Sequence, residues 1–125
     1  MMKETDCMAK ILIVDDSRTS RRILRNTLTE HGHEIVGEAE NGQLGYEKYI
    51  ELDPDIVTLD ITMPVLDGLG SLDNIMTYDG KANVIMVTAA GQKDKMVEAI
   101  KLGANEFIQK PFDPDQILGV IDNFS

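Results

Sequence analysis

Four charged side chains come at the ends of short strand-like runs, where they could share one site. Asp15 and Asp16 follow a run of isoleucine, leucine and valine, Asp60 follows a similar run, and Lys110 follows a shorter one. Runs of this kind are typical of buried parallel strands. Ligands of an open α/β sheet bind just beyond the carboxyl ends of its strands. Because three carboxylates held together repel one another, the pattern predicts a divalent cation with an anionic group beside it.

Length and composition indicate one folded domain. The chain has 125 residues, of which 42% are hydrophobic and 27% charged, and its net charge is −10. This charge argues against binding to nucleic acids or anionic membranes, which need basic surfaces. No apolar stretch is long enough to span a membrane, and residues 1–10 lack the apolar core of a secretory signal.

The single cysteine, Cys7, excludes an intramolecular disulfide and is compatible with a reducing cytoplasm. Cys7 lies in a polar leader that precedes the first strand-like run. We therefore expect a cytoplasmic monomer with a flexible N-terminal extension at residues 1–8 and one domain at residues 9–125.

The apolar pattern alternates between strand and helix five times. Local signals predict where helices begin: Ser17 as the N-cap of the first, the turn Asn41-Gly42 before the second, and Asp113 with Gln116 as a capping box for the last. The second strand is short and polar, which predicts a sheet edge. The predicted strands are 10–15, 34–38, 55–60, 83–88 and 106–110, and the helices are 17–31, 42–52, 69–78, 92–102 and a last one from 113.

Five β-α units in one domain predict a parallel sheet with helices on both faces and right-handed connections. We expect the flavodoxin-like, doubly wound order 2-1-3-4-5 with five helices. That order is taken from the known class of folds with five such units and not from the pattern itself.

Four motifs resemble the receiver domain of two-component response regulators. They stand in the family's order, each at the expected strand end, and the resemblance covers about residues 10–125. One acidic pair alone would be weak evidence, whereas the four together are specific. The motifs are Ile-Val-Asp-Asp-Ser at 13–17, Asp-Ile-Thr-Met-Pro-Val-Leu-Asp-Gly at 60–68, Val-Thr-Ala at 87–89 and Lys-Pro-Phe at 110–112.

The resemblance implies a phosphoryl-transfer site. Asp60 is expected to accept a phosphoryl group from the phosphohistidine of a histidine kinase. Asp15 and Asp16, with Asp60 and the backbone carbonyl of Thr62, are expected to bind Mg²⁺, an ion that favours oxygen ligands. The transfer needs mainly positioning and neutralisation of charge on the phosphoryl oxygens.

The resemblance also assigns roles on the last two strands. Lys110 and the Thr88 hydroxyl are expected to neutralise phosphoryl charge, and Thr88 and Phe107 to move together as a switch on phosphorylation. It further implies a cis peptide bond between Lys110 and Pro111, although the base rate of cis X-Pro bonds is only about 5–6%. Thr62 and Ala90 are expected nearest the path of the hydrolytic water.

The expected output is binding to partner proteins. Taken as a full gene product, the chain resembles a stand-alone receiver, which acts on a flagellar motor switch protein in chemotaxis or on a histidine phosphotransfer protein in a phosphorelay. Asp-Ile-Thr-Met-Pro at 60–64 and Ala-Gly-Gln at 90–92 favour the chemotaxis type. A partner phosphatase is expected to supply a polar side chain that Ala90 lacks.

Other functions fit the residues less well. An aspartyl phosphohydrolase would need an acid two residues after Asp60, where Thr62 stands. A nucleotide or flavin module would need a glycine-rich turn after the first strand. A degenerate receiver that acts only as an interaction module stays open, although the site residues are all present. Lone helix-capping roles would explain one of Asp15 and Asp16, but not the whole set.

Two further expectations concern the first helix and its end. Ile23 is expected on the inner face of the helix, together with Leu24 and Leu28. His31 and His33 flank Gly32 and are expected at the surface, without a role as metal ligands.

Overall fold

The computed structural model describes residues 9–124, so the predicted extension at residues 1–8 lies outside the described part. Within residues 9–124, no helix has the length and apolarity needed to cross a membrane. The strands are β1 (Lys10–Val14), β2 (Glu34–Ala39), β3 (Ile56–Asp60), β4 (Val84–Thr88) and β5 (Glu106–Gln109). The helices are α1 (Arg18–Glu30), α2 (Gly42–Leu52), α3 (Gly68–Tyr78), α4 (Lys93–Leu102) and α5 (Pro114–Asp122).

The five strands form one parallel sheet in the order β2-β1-β3-β4-β5. The predicted fold class and strand order are therefore confirmed, and β2 is an edge strand as expected. The register of β2 against β1 shifts between Ile11 and Leu12, because Ile11 pairs with Ile35 and Leu12 pairs with Gly37. Parallel strands put all five carboxyl ends at one edge of the sheet, which is the edge that carries the predicted site.

Side-chain caps fix where four of the five helices begin, the exception being α4. Ser17 accepts from the backbone of Ser20, and Asn41 and Asp67 cap α2 and α3 in the same way. Asp113 forms the predicted capping box with Gln116. Each cap satisfies backbone N–H groups that have no partner inside the helix. The loops that leave the carboxyl ends of the strands are thus tied to defined helix starts.

Two apolar clusters lie on opposite faces of the sheet, because successive strand residues point to opposite sides. Helices α2, α3 and α4 cover one face and α1 and α5 cover the other. The first cluster includes Leu12, Val14, Val57, Leu59, Tyr49, Leu72, Ile75, Met86 and Ala99. The second includes Ile11, Ile13, Leu24, Leu28, Ile56, Ile85, Ile108, Ile117 and Ile121.

Two expectations about α1 and its end are wrong. Ile23 is 39% exposed, because it lies on the flank of the helix and not on the face that carries Leu24 and Leu28. His33 is buried and not a surface residue. Its Nδ1 accepts from the backbone N–H of Ala9 at 3.1 Å, a contact across 24 residues that local sequence does not predict.

Candidate functional site

The carboxyl end of the sheet brings the predicted acidic residues together. Asp15 and Asp16 directly follow β1, and Asp60 is the last residue of β3. One carboxylate oxygen from each lies within 4.8 Å of the other two. Asp15 and Asp60 are buried, whereas Asp16 is exposed and lines an open cleft of about 400 Å³. The cluster is therefore reachable from solvent on the side of Asp16.

The hydrogen bonds of Asp15 leave one oxygen for a cation. Its Oδ1 accepts from the backbone N–H of Ser17 at 2.8 Å. Its Oδ2 is buried and has no hydrogen bond, although the ammonium of Lys110 lies 3.1 Å away as an ion-pair partner. The ammonium offsets part of the charge, but a buried carboxylate oxygen that accepts no well-aligned hydrogen bond is still costly. The oxygens of Asp15, Asp16 and Asp60 therefore suit a divalent ion such as Mg²⁺.

The pKa of the Asp60 carboxyl is raised from 3.8 to about 6. Burial is the largest cause, and the neighbouring charge of Asp15 adds to it, while Lys110 opposes both. Its carboxylate form still predominates at neutral pH. Asp60 is thus ionised in a place where its charge is poorly solvated, and a bound cation or a transferred group would relieve that cost.

Lys110 lies between two carboxylates, with Nζ 3.1 Å from Asp15 and 3.5 Å from Asp60. Burial alone would lower its pKa, but attraction by Asp15 and Asp60 outweighs burial, so the pKa lies above its ordinary value. Its backbone N–H donates to Thr88 O at 2.7 Å, which extends the ladder between β4 and β5 by one residue. The Lys110–Pro111 peptide bond is cis, as predicted.

Thr88 and Phe107, the predicted switch pair, project from the same face of the sheet. Phe107 pairs with Met86 in the register of β4 and β5, and Thr88 comes two residues after Met86. Side chains two apart on a strand point to the same side. The Thr88 side chain is buried, while that of Phe107 is half-buried against the cluster under α2 to α4. The placement suits coupled movement, and the switch role stays a prediction.

Gln92 is a residue of the site that sequence reasoning missed. Its Nε2 donates to the Thr62 hydroxyl at 2.7 Å, and its Oε1 accepts from the backbone N–H of Ala89 at 2.6 Å. The amide thus joins the loop after β3 to the loop after β4. Ala90, which was expected near the water path, is exposed and directly follows Ala89 in the chain. We call this pair of hydrogen bonds the Gln92 latch.

Glycine is required where the loop after β3 passes the site. A Cβ on Gly68 would lie 2.1 Å from the backbone oxygen of Asp60, and one on Gly42 would lie 2.2 Å from the backbone oxygen of Leu66. Neither contact leaves room for a side chain. Val65, in the same loop, has φ of 68° and is 82% exposed, an unusual conformation for a β-branched residue. The loop is thus held close against the end of β3.

The model of the response regulator receiver domain matches residues 11–122 of the chain. The chain belongs to the response regulator receiver family. Among its relatives, the chemotaxis protein CheY of Listeria monocytogenes is 50% identical over 115 residues, which cover 92% of this chain and 97% of that protein. CheY of Thermotoga maritima is 45% identical over 116 residues, which cover 93% of this chain and 97% of that protein.

A solved structure of a relative agrees with the fold of this receiver domain. It is the CheX-CheY-BeF3-Mg²⁺ complex from Borrelia burgdorferi, with a TM-score of 0.87 and 39% identity. The alignment covers 91% of this chain and 87% of that one. The predicted family is therefore confirmed, and the chain is a CheY-like receiver. Receiver domains bind Mg²⁺ at an acidic pocket, and Asp15, Asp16 and Asp60 form an acidic cluster in this one.

Proposed function

We propose that this receiver accepts a phosphoryl group on Asp60 from a histidine kinase, in a Mg²⁺-dependent reaction, and signals by binding partners in the phosphorylated form. The observation that carries the proposal is the position of Asp60. Its buried carboxylate ends β3, shares a 4.8 Å cluster with Asp15 and Asp16, and lies 3.5 Å from the Lys110 ammonium.

Asp60 acts as the nucleophile in this proposal. One of its carboxylate oxygens bonds to phosphorus while the bond from phosphorus to the imidazole nitrogen of the donor breaks, and the imidazole keeps that electron pair and takes a proton. Lys110 faces the carboxylate and neutralises charge on the phosphoryl oxygens, and the Thr88 hydroxyl donates to one of them. Preorganised positive charge of this kind is a large source of catalysis in phosphoryl transfer.

The metal site is assigned to the oxygens of Asp15, Asp16 and Asp60 with the backbone carbonyl of Thr62. Asp15 is suited to this role because one of its buried oxygens has no hydrogen bond. Bound Mg²⁺ would neutralise the clustered carboxylates and bring the incoming phosphoryl oxygens next to Asp60. The presence of BeF3 and Mg²⁺ in the related CheY complex supports this assignment.

We assign the receiver to chemotaxis signalling in the cytoplasm, with a histidine kinase as donor and a flagellar motor switch protein as target. The CheY relatives support this choice over a phosphorelay with a histidine phosphotransfer protein. The relative that forms a complex with CheX supports a further protein partner, and we propose a phosphatase in that place.

Incubation with acetyl phosphate and Mg²⁺ should add one phosphoryl group, stable in acid and labile in base. Asp60→Asn should abolish the addition, because an amide is not a nucleophile for phosphorus. Asp73→Asn removes the same charge from the exposed surface of α3 and should leave labelling unchanged. Intact-mass measurements follow both variants. Undiminished labelling of Asp60→Asn would show that another residue accepts the group.

A further inference from the structure

One face of α1 is strongly basic in a protein of net charge −10. Arg18, Arg21, Arg22 and Arg25 stand at helix positions i, i+3, i+4 and i+7. Residues at this spacing project from the same side of a helix. The four side chains therefore form one patch, here named the arginine face. It includes none of the residues assigned to phosphoryl transfer or to Mg²⁺.

Two of the four arginines are held in place from the neighbouring edge strand. Glu38 of β2 accepts from Nε of Arg21 at 3.0 Å and from Nε of Arg25. Arg21 also donates to the backbone oxygen of Asp15 at 2.6 Å, and only 16% of its side chain is exposed. These contacts fix the geometry of the patch before any partner arrives, which lowers the entropy lost on binding.

The other two arginines are available. Arg18 and Arg22 are exposed, and neither forms a salt bridge with a carboxylate in residues 9–124. Glu38 is the one carboxylate that pairs with the patch in this part of the chain, so four guanidinium groups face one carboxylate and the local charge is +3. A patch of this sign, kept in an otherwise acidic protein, favours an anionic ligand.

The surface around the arginine face is concave. A groove of about 560 Å³ is lined by the four arginines with Asn26 and Glu38. A second cleft of about 350 Å³ shares Arg21 and Glu38 and continues past β2 to α2. There Leu44 adds an apolar group, Lys48 a basic one and Glu40 an acidic one. The basic surface is thus confined to the groove along α1, and the cleft towards α2 is mixed in charge.

We propose that the arginine face docks an acidic helical segment of a partner protein. A helix with glutamates at i, i+4 and i+7 repeats the spacing of Arg18, Arg22 and Arg25, so each carboxylate can meet one guanidinium. Nucleic acids and anionic membranes extend far beyond the patch and meet the −10 charge of the whole protein, which repels them. The docking does not require phosphorylation of Asp60.

Two synthetic peptides of about 18 residues test the proposal, since helices of this length form in alanine-rich sequences. In one, the glutamates lie on a single helical face; in the other, the same residues are distributed around the helix. The single-face peptide should bind about tenfold more tightly and should shift NMR signals of α1 and β2 only. Several exposed ion pairs acting together are worth a difference of about this size. Equal affinity of the two peptides would overturn the proposal.

Charge-reversed variants locate the binding. Arg18→Glu/Arg22→Glu should lose the preference for the single-face peptide, whereas Lys93→Glu/Lys95→Glu, with the same change in net charge, should keep it. All four positions are exposed, so both variants are expected to fold. At Arg18, Lys93 and Lys95, which lie in the first turn of a helix, an acid is also favourable. Oligothymidylate and phosphatidylglycerol vesicles serve as competing ligands. If either shifts the same NMR signals of α1 and β2 and binds more tightly than the single-face peptide, the choice of a protein partner is overturned.

Discussion

At the carboxyl end of the sheet, Asp15 keeps a buried oxygen without a hydrogen bond beside a second buried carboxylate, Asp60. At the amino end, the buried side chains of Tyr49 and His33 are both paired. The hydroxyl of Tyr49, near the end of α2, donates to Asp79 at 3.0 Å, and His33 accepts from Ala9. Both ends belong to one sheet and one core.

The difference separates what a ligand stabilises from what the chain stabilises by itself. Buried carboxylates that outnumber their cationic partner, as Asp15 and Asp60 outnumber Lys110, lower the stability of a protein unless a cation binds to them. Binding of Mg²⁺ or transfer of a phosphoryl group should therefore stabilise the carboxyl end, whereas neither should stabilise the amino end. A change at one end should alter ligand-dependent stability, and a change at the other should alter stability alone.

The largest expected effect comes from Asp60→Asn in the metal-free protein. The folded pKa of about 6 exceeds the ordinary 3.8, so the free energy of unfolding falls as pH rises from about 4 to 6 and stays lower above that. The asparagine amide carries no charge and avoids this loss. After allowance for solvent screening, we expect Asp60→Asn to raise the free energy of unfolding by about 1–2 kcal/mol at neutral pH.

Urea unfolding of Asp60→Asn checks the sign of this effect. The gain should disappear near pH 4 and should shrink when Mg²⁺ is added, because the ion stabilises the wild type by binding its folded state. Asp73→Asn, an exposed position on α3, should show no comparable gain. A destabilised Asp60→Asn at neutral pH without metal would mean that its pairing with Lys110 outweighs burial and repulsion.

Tyr49→Phe tests the amino end, with a cost of about 0.5–1.5 kcal/mol for the lost hydrogen bond. The Tyr49 hydroxyl donates to Asp79. Burial, and after it the Asp79 carboxylate, raises the pKa of Tyr49, so the hydroxyl stays protonated and remains a donor. Urea unfolding should show the loss, while labelling by acetyl phosphate should not change. Tyr46→Phe, on a half-buried tyrosine of the same helix, is the matched control. A changed labelling rate in Tyr49→Phe would link the two ends.

The sequence predicted the carboxyl end better than the amino end, for a physical reason. The carboxyl ends of parallel strands lie at the same edge of a sheet. Because Asp15, Asp60 and Lys110 each come at the end of an apolar run, they can be placed together at that edge without knowledge of any loop. The sheet order, in contrast, came from the known class of folds and not from the residues. The polar composition of β2 placed this strand at the edge.

The parts that were missed depend on contacts between distant backbone atoms. His33 is buried and accepts a hydrogen bond from Ala9, 24 residues earlier in the chain, and nothing in its local sequence indicates this contact. Ile23 was assigned to the core by spacing alone, but it lies just outside the arc of α1 that the sheet covers. Gln92 has an ordinary loop sequence around it, and its link to Thr62 spans 30 residues.

The Gln92 latch gives the next prediction at the carboxyl end. Its amide is engaged with Thr62 and Ala89, so it closes the gap between two loops instead of orienting a water molecule. Gln92→Met keeps the length of the side chain and removes both hydrogen bonds. The acyl phosphate on Asp60 should then hydrolyse about two- to fivefold faster. This factor corresponds to the lower end of the range of free energies for the loss of one hydrogen bond.

Loss of phosphoryl group over time, followed by intact mass, checks the latch. Gln43→Met removes an exposed glutamine of α2 and should leave the lifetime unchanged. Ala90→Gln adds an amide at the exposed residue next to Ala89 and should also alter the rate. A wild-type lifetime in both Gln92→Met and Ala90→Gln would show that water access between these loops does not limit hydrolysis.

The smallest expected effect is the response of His33 to pH, and its sign is opposite to that of Asp60. Burial lowers the pKa of His33 below 6.5, outweighing attraction by Asp122, and the neighbouring His31 lowers it further. The unfolded chain therefore takes up this proton first, so the contribution of His33 to stability is complete above about pH 6.5 and is lost below it. Protonated Nδ1 can no longer accept from Ala9.

On acidification, the Asp60 carboxyl raises the free energy of unfolding and the His33 imidazole lowers it. The two contributions must therefore be measured separately. In the Asp60→Asn background, the free energy of unfolding should fall as pH is lowered from about 7.5 to 5.5. Adding His33→Gln should make this decrease smaller. His31→Gln, which changes an exposed histidine next to it, should leave most of it in place. If His33→Gln leaves the slope unchanged, the Ala9 contact does not depend on the protonation of the ring, and the amino end is indifferent to pH as well as to ligand.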